Sequence, residues 1–170
     1  MKKDTLQISA TLSLPLEAVT QTFGILGKRG AGKTNTAVVV AEEMIRAGLP
    51  NVIVDPVGVW WGLRSSKDGQ RKGLPVYIFG GEQGDIPLEE TAGQLVADFI
   101  VETRQPVVLD VSTFSKSAAR RFMTDYQRHR AEGARAGPGR HAHQPTPRPH
   151  PQGRPHPDRG PRRPPIDRPA

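Results

Sequence analysis

The residues with the clearest chemical signature are three glycines, a lysine and a threonine within residues 27–34. Gly27, Gly30 and Gly32 stand before Lys33 and Thr34 with the spacing G-x-x-x-x-G-K-[ST] of a phosphate-binding P-loop. Glycine allows the main chain to approach phosphate oxygens because no Cβ stands in the way. Successive N–H groups at the start of a helix then attract the anion. The pattern predicts binding of a nucleoside triphosphate, specifically ATP with Mg²⁺.

The two polar side chains of the loop have separate expected roles. Lys33 is expected to reach the β- and γ-phosphates, and the hydroxyl of Thr34 is expected to ligate Mg²⁺. Main-chain groups should supply the remaining contacts. The predicted nucleotide-binding residues are Gly27, Lys28, Arg29, Gly30, Ala31, Gly32, Lys33, Thr34 and Asn35.

Two aspartates follow apolar runs that are typical of buried strands, and open α/β sheets bind ligands at such strand ends. Asp55 comes about 20 residues after the loop, the spacing of the acidic residue in a dinucleotide fold. It is a candidate for a place near the nucleotide, and the alternative is a strand-end turn with Pro56. Asp110 ends an apolar run that looks like a Walker B strand, whose aspartate binds Mg²⁺. However, the next residue is Val111, and not the glutamate that would help to activate water. The alternative is an aspartate that caps its own turn.

Other side chains admit both a functional and a structural interpretation. Trp60 and Trp61 could stack on a base, although tryptophan more often packs against a core. Arg120 and Arg121 could include an arginine finger, or they could be exposed helix residues. The five histidines lie among prolines and arginines without the spacing of a metal site.

The spacing of apolar residues predicts alternating strands and helices. Strands are expected at residues 6–14, 22–26, 51–55, 75–79 and 105–110. Helices are expected at 33–47, at 88–100, and from a cap at Ser115 or Ser117 to about 126. This order predicts the α/β class: a partial P-loop NTPase core with a mainly parallel sheet and flanking helices.

Composition divides the chain near residue 128. Residues 129–170 hold 11 of the 17 prolines, nine arginines and no lysine, and their one large apolar residue is Ile166. Such a segment buries too little apolar surface to offset its chain entropy, so a disordered Pro/Arg-rich tail is expected. We therefore expect a P-loop domain at 1–128, with an amino-terminal strand region at 5–15, and a low-complexity tail at 129–170.

The positive charge belongs mainly to the tail. Of the net charge of +7, residues 1–128 carry +1 and residues 129–170 carry +6. This distribution of charge therefore does not predict a basic nucleic-acid-binding face on the folded part. The chain has no cysteine, no apolar run of membrane-spanning length and no signal-peptide pattern, and we expect a cytoplasmic protein without a membrane partner.

The loop at 27–34, followed by Asp55-Pro56-x-Gly58 after the next core strand, resembles the HerA/FtsK group of ATPases, and most closely its HerA-type ATP-binding members. The resemblance covers roughly residues 6–126. It implies a RecA-like core, a ring that is commonly a hexamer, and use of ATP to move DNA. It also implies that Asp55 matches the group's aspartate after the second strand.

The chain departs from this group at two points. Many relatives continue Asp-Pro with His-Gly-Glu, and here Val57, Gly58 and Val59 follow. In relatives the Asp-Glu pair of the Walker B strand comes after the helix that ends here near Tyr126, and no apolar strand ending in Asp-Glu follows that point. By this alignment Asp110 lies on an earlier strand and is not the Walker B residue. One hypothesis is that residues from about 127 onward are an out-of-frame translation of a GC-rich gene. The alternative is a genuine tail that holds nucleic acid electrostatically.

Three functions remain open at this stage. The first is the amino-terminal portion of an ATP-driven DNA translocase or helicase-like motor. The second is a nucleotide-binding fragment without turnover. The third is a small P-loop kinase. The segment of about 25 residues that precedes the loop has its own strand pattern and argues against a kinase.

Overall fold

The computed structural model describes residues 4–66 and 69–136. The core is a parallel sheet with the strand order β3-β5-β4, and an antiparallel pair, β1-β2, lies near the amino terminus. The strands are β1 Thr5–Gln7, β2 Ser13–Pro15, β3 Val52–Asp55, β4 Tyr77–Gly80 and β5 Val107–Asp110. The helices are α1 Lys33–Arg46, α2 Gly93–Thr103 and α3 Lys116–Ala136, with 3₁₀ turns at Leu16–Thr20 and Trp60–Arg64.

The central strand β5 is covered on both faces, which explains its continuous apolar sequence. Val107 and Leu109 pack in a cluster with residues of α2 and α3, such as Val96 and Phe122. Val108 faces the other way and packs with Ile78 of β4, while Val38 of α1 packs against the same cluster. The expectation of a mixed α/β fold with parallel strands and flanking helices is confirmed.

The amino-terminal region is a hairpin, and the single strand expected at 6–14 is wrong. The N–H groups of Ile8 and Ser9 both donate to Leu12 O, at 2.9 and 3.0 Å, and reverse the chain. The hydroxyl of Ser9 accepts hydrogen bonds from the N–H groups of Thr11 and Leu12. Local serine–backbone bonds of this kind compete with an extended strand. Leu6 remains buried, at 1% exposure.

The strand expected at residues 22–26 is also wrong, because this segment has no regular structure. Phe23 is 52% exposed and Leu26 is 93% exposed. A strand is stabilised by hydrogen bonds to a neighbour, and no strand of the described residues pairs with this segment. The apolar run that leads into the phosphate loop is therefore solvent-exposed.

The helices begin and end partly as expected. Helix α1 stops at Gly48, whose φ of 73° is the left-handed conformation of a glycine that ends a helix. Helix α2 begins at Gly93 and not near Leu88, because the carboxylate of Asp125 accepts a hydrogen bond from the N–H of Gln94 at 3.2 Å. That carboxylate supplies the cap that the local sequence of α2 lacks.

Helix α3 begins after Ser115, whose hydroxyl accepts a hydrogen bond from the N–H of Ala118 at 3.2 Å. The expected end near Tyr126 is wrong, since the helix continues to Ala136 and passes the compositional boundary at 128. Asp125 forms an ion pair at 2.6 Å with Arg128, three residues further along the helix, and supports this extension. The same carboxylate lies 3.4 Å from Nε2 of His129, four residues along. The disorder expected for the tail beyond residue 136 concerns residues outside the described ones, as do four of the five histidines.

Candidate nucleotide-binding site

The loop at 27–34 has the backbone conformation that its glycines predict. Gly30 and Gly32 have φ values of 80° and 82°, which are strained for any residue with a side chain. Within the loop, Gly27 packs closely against Ala31, because a Cβ at Gly27 would stand 3.2 Å from the Cβ of Ala31. The N–H of Ala31 donates to Lys28 O at 3.2 Å and closes the turn.

The loop presents a set of N–H groups that have no acceptor. The first intrahelical bond of α1 runs from Thr36 N to Gly32 O at 2.9 Å, so the earlier amides lie outside the helical ladder. Among the described residues no acceptor meets the N–H groups of Gly30, Gly32, Lys33, Thr34 and Asn35. Free amides at the positive end of a 14-residue helix are suited to bind an anion.

The side chain of Lys33 lies over the loop. Its ammonium group donates a hydrogen bond to Lys28 O at 2.9 Å, and the residue is half-buried. Lys28 and Arg29 are exposed and form no ion pair with the described residues. Two further positive charges therefore stand close to the free amides, and Lys33 must leave Lys28 O to contact a phosphate.

Thr34 and Asn35 lie on the exposed first turn of α1. Asn35 also lines a cleft of about 610 Å³ beside α1, together with Val38, Val39 and Trp61. The two tryptophans have different environments. Trp60 packs against the core cluster, as the structural interpretation expected, whereas Trp61 is 47% exposed and faces this cleft.

Helix α1 contacts the segment that leads into β3. The side-chain amide of Asn51, just before β3, donates a hydrogen bond to Ala41 O at 3.3 Å.

The carboxylate of Asp55 is fully occupied by the chain itself. Its Oδ1 accepts the N–H groups of Val57 and Gly58, both at 2.9 Å. Its Oδ2 accepts those of Val59 and Trp60, at 2.6 and 2.8 Å. The residue is 1% exposed. These contacts favour the interpretation of a strand-end turn, and a role for Asp55 near the nucleotide stays a prediction.

Asp110 has the same position on the next strand but a different environment. Its Oδ1 accepts the N–H of Ser112 at 2.9 Å, as expected for an aspartate that caps its own turn. No described residue donates a hydrogen bond to its Oδ2, and the residue is 4% exposed.

Glycines approach Asp110 from both flanking strands. The sequence singled out Gly58 only as part of the Asp-Pro-x-Gly element, and it did not single out Gly81. A Cβ at Gly81, which follows β4, would overlap Asp110 Oδ2, and a Cβ at Gly58 would stand 3.3 Å from the same atom. Both glycines have positive φ, at 67° and 77°. A glycine shortly after each flanking strand was the sequence signal that could have indicated these contacts, since glycine allows close approach of another group.

The two arginine candidates are exposed residues of α3. Arg121 forms an ion pair with Glu90 at 3.0 Å, and Arg120 is exposed. Their placement favours the interpretation of surface residues. The described residues contain no group of three potential metal ligands. A magnesium ion would instead be held by nucleotide phosphates with Thr34, and this fits the exposed hydroxyl at the start of α1.

None of the helices in residues 4–66 and 69–136 has both the length and the apolar character needed to cross a membrane.

The amino-terminal part of the chain matches a known family. Residues 4–69 match the family model described as the central domain of helicase HerA. The match contains the phosphate loop, α1, β3 and Asp55, and it ends before β4. No curated protein and no solved structure matches the chain significantly. The amino-terminal portion of this chain is therefore a HerA-like segment of the P-loop ATPase class.

Proposed function

We propose that the chain binds ATP with Mg²⁺ through residues 27–34. The observation that carries the proposal is that the amides of Gly30, Gly32, Lys33, Thr34 and Asn35 have no acceptor among the described residues and lie at the start of α1. Triphosphate oxygens supply the missing acceptors. The positive charges of Lys28, Arg29 and Lys33 add electrostatic attraction.

In this proposal Lys33 exchanges one acceptor for another. Its ammonium group leaves Lys28 O, where it donates at 2.9 Å, and turns to the β- and γ-phosphates. A charge-assisted bond to phosphate is stronger than a bond to a neutral carbonyl, so the exchange favours the bound state. The hydroxyl of Thr34, exposed one residue further along, contacts Mg²⁺.

At the level of the family we infer that the chain is the amino-terminal portion of an ATP-driven motor that acts on DNA. The match of residues 4–69 to the HerA central domain supports this inference. In this inference full-length relatives assemble as a ring in the cytoplasm and move DNA with the energy of ATP hydrolysis. The sheet of the described residues supplies one part of such a motor core.

For this polypeptide itself we infer nucleotide binding without turnover. Hydrolysis needs a group that orients the attacking water in addition to the phosphate loop. Among the described residues no strand ends in an Asp-Glu pair, and the carboxylate of Asp55 is used by four main-chain N–H groups. The exposed segment at 22–26 also has no neighbouring strand in residues 4–66 and 69–136 that would fix the loop.

Binding and hydrolysis measured together test both inferences. Equilibrium binding of a fluorescent ATP analogue and release of phosphate from ATP are compared for the parent chain, Lys33→Ala and the control Lys28→Ala. We expect saturable binding by the parent, a large loss in Lys33→Ala and a small loss in Lys28→Ala, with no turnover. Equal binding by Lys33→Ala and the parent contradicts the site, and sustained phosphate release by the parent contradicts the inference of binding without turnover.

A further inference from the structure

Trp61 lines a cleft of about 610 Å³ beside α1, and the residue is 47% exposed. Among the described residues its ring meets no other aromatic ring, and its indole N–H has no acceptor. A lone exposed apolar side chain is ordinary on a protein surface. Trp61 differs because it lies in a concavity, and clefts of about 300–1,000 Å³ with aromatic walls are the usual binding sites for small molecules.

The turn that carries Trp61 is held firmly against the core. The N–H of Trp60 donates to Asp55 Oδ2 at 2.8 Å, and Trp60 itself packs against the core cluster. Leu63, on the other side, is 5% exposed and accepts the N–H of Leu74 at 2.7 Å. A ring on such a turn is ordered before a ligand arrives, which lowers the entropic cost of binding.

The opposite wall of the cleft is one face of α1, and it begins at the phosphate loop. Asn35, Val38, Val39 and Glu42 line this wall, with the spacing of residues that share a helix face. Asn35 belongs to both features, because its main-chain N–H is one of the loop amides without an acceptor among the described residues. The wall extends from Asn35 to Glu42 over a rise of about 10 Å. The sugar and base of a nucleotide held at the loop therefore have a continuous surface beside them.

Glu42 supplies a hydrogen-bond acceptor at the far end of this wall. Its Oε2 accepts a bond from Arg46 at 2.9 Å, and no described residue donates to its Oε1. An ionised carboxylate only accepts hydrogen bonds. The exocyclic amine of adenine is a donor, whereas hypoxanthine carries a carbonyl oxygen at the same ring position and is repelled there.

The charges around the cleft favour a free nucleotide over a strand of nucleic acid. Among the described residues that line the cleft there is no lysine or arginine, and Glu42 contributes a negative charge. A groove that follows a nucleic-acid backbone needs positive charge along its length. Here the positive charges of Lys28, Arg29 and Lys33 lie in the phosphate loop, beside a single end of the cleft.

We propose that the adenine ring of ATP stacks on the indole of Trp61 in this cleft and donates its exocyclic amine to Glu42 Oε1. This inference rests on the proposed binding of ATP at residues 27–34. The loop amides contact phosphates, which all nucleoside triphosphates share, so they cannot distinguish one base from another. Trp61 and Glu42 are then the residues that give the site its preference for adenine.

The first test separates binding of the base from binding of the phosphates. Calorimetric titrations with ATP and with inorganic tripolyphosphate, both in excess Mg²⁺, compare the full 170-residue parent, Trp61→Ala and the control Leu95→Ala. Leu95 is an exposed apolar residue of α2 that does not line the cleft. Loss of one stacking platform should weaken ATP binding by about 5- to 150-fold in Trp61→Ala alone. The affinity for tripolyphosphate should stay the same in all three proteins.

An equal ratio of the two affinities in the parent and in Trp61→Ala overturns the inference and leaves the phosphate site intact. Absence of binding of both ligands by the parent overturns the proposed function, and the inference with it. The two failures are therefore distinguishable.

The contact with Glu42 is tested with inosine triphosphate, which replaces the exocyclic amine of adenine by a carbonyl oxygen. We expect the parent to prefer ATP by about tenfold, because bonds to charged groups are the stronger kind. Glu42→Ala should lose this preference. Asp98→Ala is the control, since Asp98 is a half-buried carboxylate of α2 without a partner among the described residues. Equal affinities of the parent for the two nucleotides overturn the role of Glu42.

A further measurement uses the intrinsic fluorescence of the chain, whose two tryptophans are Trp60 and Trp61. Stacking predicts that ATP quenches the parent and that tripolyphosphate does not. In Trp61→Phe the quenching should vanish while the affinity for ATP is largely retained, because phenylalanine keeps an aromatic ring for the base. A parent that is saturated with ATP but not quenched overturns the proposal. Quenching by a single-stranded oligonucleotide and not by ATP also overturns it, and assigns the ring to nucleic acid.

Discussion

The carboxylates of Asp55 and Asp110 belong to directly paired residues of neighbouring parallel strands, but one is saturated by the chain and the other retains a free oxygen. Asp55 binds the four N–H groups of residues 57–60 and fixes the turn after β3. Asp110 fixes only the N–H of Ser112. The same residue type at the same sheet edge therefore accepts four main-chain hydrogen bonds on one strand and one on the next.

Replacing Asp55 should destabilise the fold. In Asp55→Asn an amide NH₂ replaces one carboxylate oxygen, so two of the four N–H groups lose their acceptor. We expect a loss of about 2–4 kcal/mol in the free energy of unfolding, since bonds to charged groups are the stronger kind. Urea unfolding followed by circular dichroism measures this loss. Asp98→Asn is the control, and a change in Asp55→Asn as small as the control's would contradict the structural role.

The left-handed glycines of the phosphate loop should be required for nucleotide binding. In Gly32→Ala the new side chain meets no atom within 4 Å, but the φ of 82° costs about 1–2 kcal/mol for a residue with a Cβ. The loop is expected to relax, and the affinity for ATP in equilibrium titrations to fall by about tenfold. Gly24→Ala is a matched control, because Gly24 also has open space around it and does not have a positive φ. Equal losses in both variants would argue against a preformed loop.

The contact between α2 and α3 depends on a glycine. A Cβ at Gly93 would stand 2.8 Å from Tyr126 N and 2.6 Å from Asp125 Oδ2, so Gly93→Ala must push the two helices apart. Overpacking of this kind costs about 1–3 kcal/mol. Gly62→Ala is the control, since nothing lies within 4 Å of an added Cβ there. The midpoint of urea unfolding should fall for Gly93→Ala and not for Gly62→Ala, and an unshifted midpoint in Gly93→Ala would contradict the close packing.

The phenol of Tyr126 should make the protein less stable at high pH. Burial raises the pKa of Tyr126 above its ordinary value near 10, and the charge of Arg130 opposes this only in part. The folded state then holds the proton more tightly than the unfolded state. The stabilisation is fully present below the unfolded pKa and is lost as the pH rises through the folded pKa.

Tyr126→Phe is the variant that isolates this effect. The hydroxyl of Tyr126 is buried without a hydrogen-bond partner among the described residues, so its removal should leave stability at neutral pH unchanged or raise it by about 1 kcal/mol. Urea unfolding at neutral pH and above pH 10 measures both effects. A decline with pH that is as steep in Tyr126→Phe as in the parent would show that another group causes it.

Elements with strong local signals were predictable from the sequence. Helix α1, its stop at Gly48 and the cap at Ser115 follow from residue types that act over a few positions. The buried strands β3 and β5 follow from short β-branched runs. Their parallel pairing fits the βαβ order of the chain.

The differences arise where distant groups decide the structure. Residues 22–26 have strand-like composition, but no described strand pairs with them. The start of α2 depends on Asp125, 31 positions away from Gln94. The amino-terminal segment reverses because Ser9 bonds to its own backbone neighbours. Periodicity alone contains none of this information.

The phosphate loop itself was recognisable because its chemistry is local, a contiguous run of main-chain amides around glycines. The contrast between Asp55 and Asp110 was not recognisable. It depends on which main-chain N–H groups turn toward each carboxylate, and on the approach of Gly81, which follows β4, to Asp110. Neither relationship is expressed in the spacing of residues along the chain.

The most direct test of the phosphate site is ¹⁵N–¹H correlation NMR of the labelled chain during titration with ATP and Mg²⁺. The account predicts that the amide protons of Gly30, Gly32, Lys33, Thr34 and Asn35 shift downfield, because each gains a phosphate acceptor that the described residues do not supply. The amide of Ala31, already bonded to Lys28 O, should move less. Unchanged loop amides at saturating ATP, or shifts confined to residues away from α1, would contradict the account.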